Sequence, residues 1–223
     1  EIILSAGAFG SPQLLMLSGI GDQSELKEND IECLHNLPGV GKNLQDHLFY
    51  NVSALSKQRA GQNSHIPLMA QSANLMRWFF LQKGALTASP LEAVAFGSTA
   101  ASPKRVDFQL HFTGFHIGTG YDVDFYDLST FPTKEDGFTI LPTLLKPKSR
   151  GFLKLRSNNP FDYPIIQPNF LEVAEDKKLL IEAGKLALKI LNSKPFDDYR
   201  KEIIAPPDHN NDEAIFEHIQ KAV

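Results

Sequence analysis

Gly7-Ala8-Phe9-Gly10-Ser11-Pro12-Gln13-Leu14-Leu15-Met16-Leu17-Ser18-Gly19-Ile20-Gly21 holds the strongest local signals in the chain. Ser11 has the hydroxyl of a good N-cap, Pro12 suits a first helical position, and Gly19 can adopt the left-handed backbone that ends a helix. Between them Leu14, Leu15, Met16 and Leu17 supply apolar surface on most sides. Upstream, Ile2-Ile3-Leu4 is a short apolar run that predicts a buried parallel strand beginning at Glu1. Ala6, Gly7 and Ala8 are small, so backbone or a ligand can approach closely where strand turns into helix. A helix start and stop of this kind has a full structural explanation, a cap being worth ~1 kcal/mol.

Moving outward, residues 22–37 are polar and predict a surface helix leading into a short strand or loop. Leu37-Pro38-Gly39-Val40-Gly41-Lys42-Asn43-Leu44-Gln45-Asp46-His47 follows, and its glycines and proline predict an irregular, closely packed loop. Leu68, Ser72, Leu75, Met76 and Phe79 recur at helical spacing, with Gly84 as the stop. Val106, Phe108, Leu110 and Phe112 alternate with Asp107, Gln109, His111 and Thr113, the period of a half-buried strand. Alternation does not say which face turns inward. Residues 138–145 and 152–156 read as further strands joined by a hairpin-like link at 146–151, which favours an antiparallel sheet. Pro160, Pro164 and Pro168 predict extended chain, Leu179, Ala183, Leu186, Ala187, Ile190 and Leu191 form one helical face ending before Pro195, and residues 212–223 read as a helix still running.

Composition narrows the function classes. The 223 residues are 42% hydrophobic, ordinary for a globular protein, and the apolar runs are too short to span a bilayer. A net charge of -4 without a concentrated basic face argues against nucleic acid as a partner. Cys33 is the single cysteine, so neither an internal disulfide nor a Cys-based metal cage can form. Asn51-Val52-Ser53 is a glycosylation sequon, weak support for secretion, and localisation stays open. The chain enters without an initiator Met or signal peptide, so the reading expects an internal piece of a longer protein.

Three G-x-G triplets occur, Gly19/Gly21, Gly39/Gly41 and Gly118/Gly120, and none carries the third glycine of a dinucleotide fingerprint. Ser18, Ser64 and Ser98 lie in no G-x-S-x-G elbow. His111 and His116, five residues apart on an expected strand, point to opposite faces, and no metal site is expected. Glu92, next to the apolar Ala93-Val94-Ala95-Phe96, borders the active site or sits on the surface.

The combination says more than its parts. The 7–21 run resembles the second signature of the glucose-methanol-choline (GMC) oxidoreductases, in wording most like the insect glucose dehydrogenase branch. Gly39 to His47 resembles the loop that closes the family's first flavin-domain block. Ser149-Arg150-Gly151 to Arg156 and Pro164-Ile165-Ile166-Gln167-Pro168-Asn169-Phe170 resemble the start of its carboxy-terminal region. The resemblance implies a mixed α/β (α+β) fold. Residues 1–50 would close a Rossmann-like FAD-binding domain, and 51–223 would form a substrate domain with an antiparallel sheet and flanking helices, plus the start of the C-terminal region. Its cofactor would be FAD, taking a hydride from an alcohol or sugar substrate and passing electrons to oxygen or another acceptor. Ala6, Gly7, Asn43, Asp46 and His47 would lie near the flavin, with Asn43 supplying amide hydrogen bonds and Asp46 bracing its loop. Asp46 and His47 also have a plainer reading, as a bracing pair. Phe108, Leu110 and Phe112, or their opposite-facing neighbours, would roof the pocket. The family's histidine base is expected beyond Val223, so no residue of this chain is a catalytic candidate. Two other readings are a flavin-bound hydroxynitrile lyase and a non-catalytic binding protein of the same fold.

Overall fold

A computed structural model describes residues 2–59, 61–99 and 105–223. In chain order it forms α1 (Gly7–Leu17), β1 (Ile20–Gly21), α2 (Gln23–Glu28), β2 (His35–Asn36), β3 (Lys42–Leu44), β4 (Val52–Ser56), α3 (Leu68–Leu81) and β5 (Ala93–Gly97). There follow β6 (Phe108–Thr113), β7 (Gly137–Leu144), β8 (Gly151–Lys154), β9 (Ile165–Gln167), α4 (Ala174–Leu191), β10 (Arg200–Ala205) and α5 (Asp212–Ala222). The result is mixed α/β with antiparallel sheets. It divides into two units: residues up to Asp46 with Pro147–Asp176, and His47–Lys146 with Lys177–Val223. The first unit thus combines two stretches far apart in the chain, with 147–176 packed beside residues up to Asp46.

In the first unit, Met16, Leu26, Val40, Leu153 and Leu155 are buried together, with Leu15, Leu17, Ile31 and Cys33 packed against them. Strands β1 and β2 pair in parallel, and β8 sits between β3 and β9 in an antiparallel three-stranded sheet. Gly19 stops α1 as predicted: its φ is +79°, and a Cβ there would strike the Glu32 carbonyl. Ala6, however, and not Ser11, is the N-cap. Ser11 Oγ accepts the Ala6 N–H at 3.0 Å from inside the helix, which satisfies one of the donors that a helix start leaves over. Pro12 is therefore interior, and it removes one intrahelical bond to the Ala8 carbonyl.

The strand expected at Ile2-Ile3-Leu4 does not form. Residues 2–5 have no regular structure, and Ile2 and Ile3 are 89% and 81% exposed. An extended run becomes a strand only when a neighbour takes its backbone groups, and no described segment pairs with it. Glu1 lies outside the described residues.

The second unit is built on a five-stranded antiparallel sheet in the order β10-β4-β7-β6-β5. Its two faces differ. Phe112 and Phe138 lie 6.2 Å apart and both meet Phe196, on the face that also carries the buried Phe108, Leu110, Ile140 and Leu144. The opposite face carries Gln109, His111 and Thr113 across from Thr143, Leu141 and Thr139. The hairpin expected at 146–151 is absent, because β7 belongs to this sheet and β8 to the other. Short sequence separation favours a hairpin, but the β8 backbone pairs with β3 and β9 instead.

Leu180, Ala183, Ala187 and Leu191 form the buried stripe of α4, slightly rotated from the predicted face, and Leu186 stays 38% exposed. The rotation follows from Tyr50, whose hydroxyl donates to the Leu180 carbonyl at 3.2 Å and lies directly over Gly184. His218 of α5 is buried; its Nε2–H donates to the Asn51 carbonyl (3.0 Å) and its Nδ1 accepts from the Tyr121 hydroxyl (2.7 Å). Asn51, the sequon residue, is itself only 1% exposed, with its amide donating to Ser53 Oγ and the Gly118 carbonyl. His116 lies in the loop after β6 and not on the strand, its ring donating to the Glu135 carbonyl. Helix α3 forms where predicted, yet it buries no residue, and Gln82 in the left-handed region, not Gly84, is its C-cap.

Gly184→Ala should cost about 1–3 kcal/mol by overpacking against Tyr50, measured by urea denaturation, although Ala is the better helix former. Burial lowers the ionisation of both His116 and His218. The unfolded chain therefore takes up protons first. The stability they confer is complete above about pH 6.5 and falls as the pH drops below it. Urea midpoints taken between about pH 7.5 and 5 should decline, and less steeply in His218→Gln.

Candidate functional site

In the first unit, α1 and the strand after Val40 frame a cleft of ≈ 400 Å³. Its walls are Ala8 and Pro12 from α1, the continuous run Gly41 to Gln45, and Leu153. The Gly41 carbonyl accepts the Leu153 N–H at 2.6 Å, and Gly41 packs so tightly on the Leu153 carbonyl that no side chain fits. Asn43 sits on the cleft at φ +59°, a backbone that asparagine tolerates better than most residues. Ala6 and Gly7 immediately precede Ala8, and Gly7 has open space where a side chain would stand.

Lys42 anchors this run from behind. Its ammonium and that of Lys154 both bind Glu25 Oε1, the latter at 2.9 Å. Burial works to raise the Glu25 carboxyl, but the hydrogen bonds and charges of the two lysines outweigh it and hold it below the usual carboxylate range. Both positive charges are thus engaged by Glu25, and apart from Lys42 the cleft is lined by neutral groups, among them backbone amides, the Asn43 amide and Gln45.

In the second unit, the polar face of β6 and β7 forms the floor of a cavity of ≈ 410 Å³. Gln109, His111, Thr113, Thr139, Leu141 and Thr143 line the floor, and His47, Phe49, Pro90, Leu91, Phe115, Ile117 and Phe125 the walls. Phe49 and Phe125 stand edge to face at 6.2 Å. Gln109 Nε2 and His111 Nε2 are 2.7 Å apart. Thr139 Oγ1 shares a hydrogen bond with Ser53 Oγ at 2.8 Å. Thr113 Oγ1 is buried on this floor without a hydrogen-bond partner.

Of the residues singled out from sequence, Asn43 lines the first cleft with Ala8 and Pro12 of α1, whereas Ala6 and Gly7 precede Ala8 in the chain without lining it. Asp46 ends the first unit, and His47 opens the second and lines its cavity. Glu92 is exposed and accepts from Gln62 at 2.6 Å. Among the described residues no cluster of His, Cys, Asp and Glu fit to hold a metal occurs, and no helix is long and apolar enough to cross a membrane. Sequence reasoning expected this strand at the pocket and left its inward face open; the cavity is lined by Gln109, His111 and Thr113, and the aromatic walls had no signal of their own. The signal of the three floor residues was present in the polar half of the β6 alternation, which reads equally as a solvent face.

Two family models, both described as GMC oxidoreductase, match residues 1–49 and 147–223, together more than half of the chain. An alcohol dehydrogenase [acceptor] from Pseudomonas putida is 34% identical, covering 99% of this chain and 39% of its own length. An oxygen-dependent choline dehydrogenase from Rhizobium rhizogenes is 36% identical, covering 100% of this chain and 40% of its own. The chain therefore spans about two fifths of the length of these curated relatives. Among solved structures, an Aspergillus oryzae formate oxidase aligns with a TM-score of 0.83 at 25% identity, over 98% of this chain and 42% of that one.

Glu25→Gln should destabilise the chain by about 1–2 kcal/mol, between the values for exposed and fully buried pairs, because it leaves two lysines facing a neutral group. Urea denaturation measures it, and restoring neutrality with Lys154→Met should recover part of the loss.

Proposed function

The chain belongs to the GMC oxidoreductase family, and from that membership we propose that its protein is an FAD-dependent oxidoreductase acting on the CH–OH group of an alcohol or sugar. The observation that carries the reading is the cavity over β6 and β7: a sheet face that is neither core nor open surface, with polar groups on its floor and rings on its walls. Pockets of this size and mixed lining suit small organic molecules.

The residues around the first cleft fit part of a flavin dinucleotide. Gly7 leaves room for close approach, the 41–45 backbone and the Asn43 amide offer neutral hydrogen-bonding groups, and Lys42 is held back by Glu25. Ala6, Gly7 and Asn43 are proposed as cofactor-side residues on this basis, and Asp46 and His47 on the family resemblance of their loop alone. Bound there, FAD supplies hydride acceptance from the alcohol carbon. The chain's own part is to hold the 41–45 run rigid, through the Leu153 backbone and the Glu25 pair, and to seat substrate on the β6–β7 floor. No proton-accepting role is given to a residue of this chain.

The wording of Leu15 to Gly21 supports the finer placement in the insect glucose dehydrogenase branch. Oxygen or a second acceptor would reoxidise the flavin.

Anaerobic mixing of the flavin-loaded protein with an alcohol should bleach the oxidised flavin's visible absorption. A flavin that stays oxidised while the substrate is cleaved would point instead to lyase chemistry, and neither change to a binding protein. Asn43→Gly keeps the left-handed backbone and deletes the amide. Flavin affinity, read by fluorescence titration, should fall about tenfold with only a few tenths of a kcal/mol change in stability.

A further inference from the structure

Resting on the reading of the second-unit cavity as a substrate site, we propose that it selects an uncharged alcohol with a flat apolar body, aligned by Gln109, His111 and Thr113, over a quaternary ammonium alcohol or a sugar. Three observations carry this. Among the described residues lining the cavity there is no Asp, Glu, Lys or Arg. A fixed cation would leave water with no carboxylate to receive it. The aromatic walls offer little in exchange. Phe49 and Phe125 meet at 79°, and Phe125 and Phe131 at 85°, so the rings direct edges into one another's faces, where a cation would have to sit.

The second observation is the state of the floor. Thr139 is engaged with Ser53, and Thr143 donates to the Leu141 carbonyl at 3.2 Å. As placed, the Gln109 amide donates to His111 Nε2, which leaves the Gln109 carbonyl as an acceptor and the His111 Nδ1–H as a donor. Few polar groups remain for a ligand. One polar end can be served, whereas a sugar would bury several hydroxyls without partners.

The third is Thr113. Its residue is 1% exposed and its hydroxyl is one of the few buried side-chain groups without a partner. Buried polar groups in folded proteins are almost always satisfied, and this orphan belongs to a residue lining the cavity, so a shift of the floor side chains that cover it would bring it to a ligand's polar atom. Thr113 and His111 are two residues apart on β6 and so point the same way, giving one line of contacts. Leu91, Ile117 and Leu141 then face the remainder of the molecule.

Calorimetric titration of the purified full chain with cinnamyl alcohol, choline and glucose tests this. Cinnamyl alcohol should bind at least tenfold more tightly than the other two. Thr113→Val, which keeps shape and removes the hydroxyl, should weaken it about tenfold, and Gln109→Leu, at a less buried position, should do likewise. Choline or glucose binding as tightly as cinnamyl alcohol would overturn the proposal, as would full affinity in both variants. Selective binding without flavin reduction leaves the selection standing and removes the oxidoreductase reading alone. Flavin reduction by choline in a protein that ignores cinnamyl alcohol does the reverse.

Discussion

Side chains of β6 and β7 alternate between two environments, and the second unit is organised by keeping those environments apart. Phe108, Leu110 and Phe112 are locked against Ile140 and Leu144 on one side, while Gln109, His111 and Thr113 meet Thr143, Leu141 and Thr139 on the other. A slip of one residue between the two strands would exchange the sets and place an imidazole and an amide in the aromatic core. The Phe112–Phe138–Phe196 cluster makes that exchange costly, so the packing of one face holds the chemistry of the other in register.

The first unit depends on a different device. Its core is small, and the 41–45 run would be free to drift were it not tied at both sides. Leu153 takes the backbone at Gly41, and Glu25 gathers Lys42 and Lys154 into one partly buried centre. Glu25 Oε2 remains buried without a partner, so the centre is less than fully satisfied. Specific placement of the cleft wall, more than stability, is what such an arrangement contributes.

Much of this was legible in the residues themselves. Gly19 as a stop, the α4 and α5 helices and the β6 strand follow from local chemistry: a left-handed glycine, an apolar stripe and strict alternation. What failed was whatever depends on a partner distant in sequence. Ile2-Ile3-Leu4 has strand composition but no described neighbour to pair with, and 146–151 looks like a hairpin because proximity in sequence says nothing about which sheet β8 joins. Ser11 has N-cap chemistry and uses it from within the helix. At the first cleft, Asn43 stands out in sequence by its glycine-rich loop, and it lines the cleft wall. The cavity floor was legible only in part: β6 was expected at the pocket, but alternation leaves its two faces equivalent until Phe49, Phe115 and Phe125 are seen to cover the polar one.

The burial of Asn51 carries a consequence for any passage of this chain through a secretory compartment. Both hydrogens of its amide are committed inside the fold, to Ser53 and to the Gly118 carbonyl, and β10 and β7 flank the strand that follows. An oligosaccharide on that nitrogen would need one of those hydrogens and an exit that the closed sheet does not provide. Carbohydrate attachment and sheet closure are therefore rival fates for the nascent polypeptide, decided by which comes first, and a glycan at this asparagine would mark molecules that lost the race to fold.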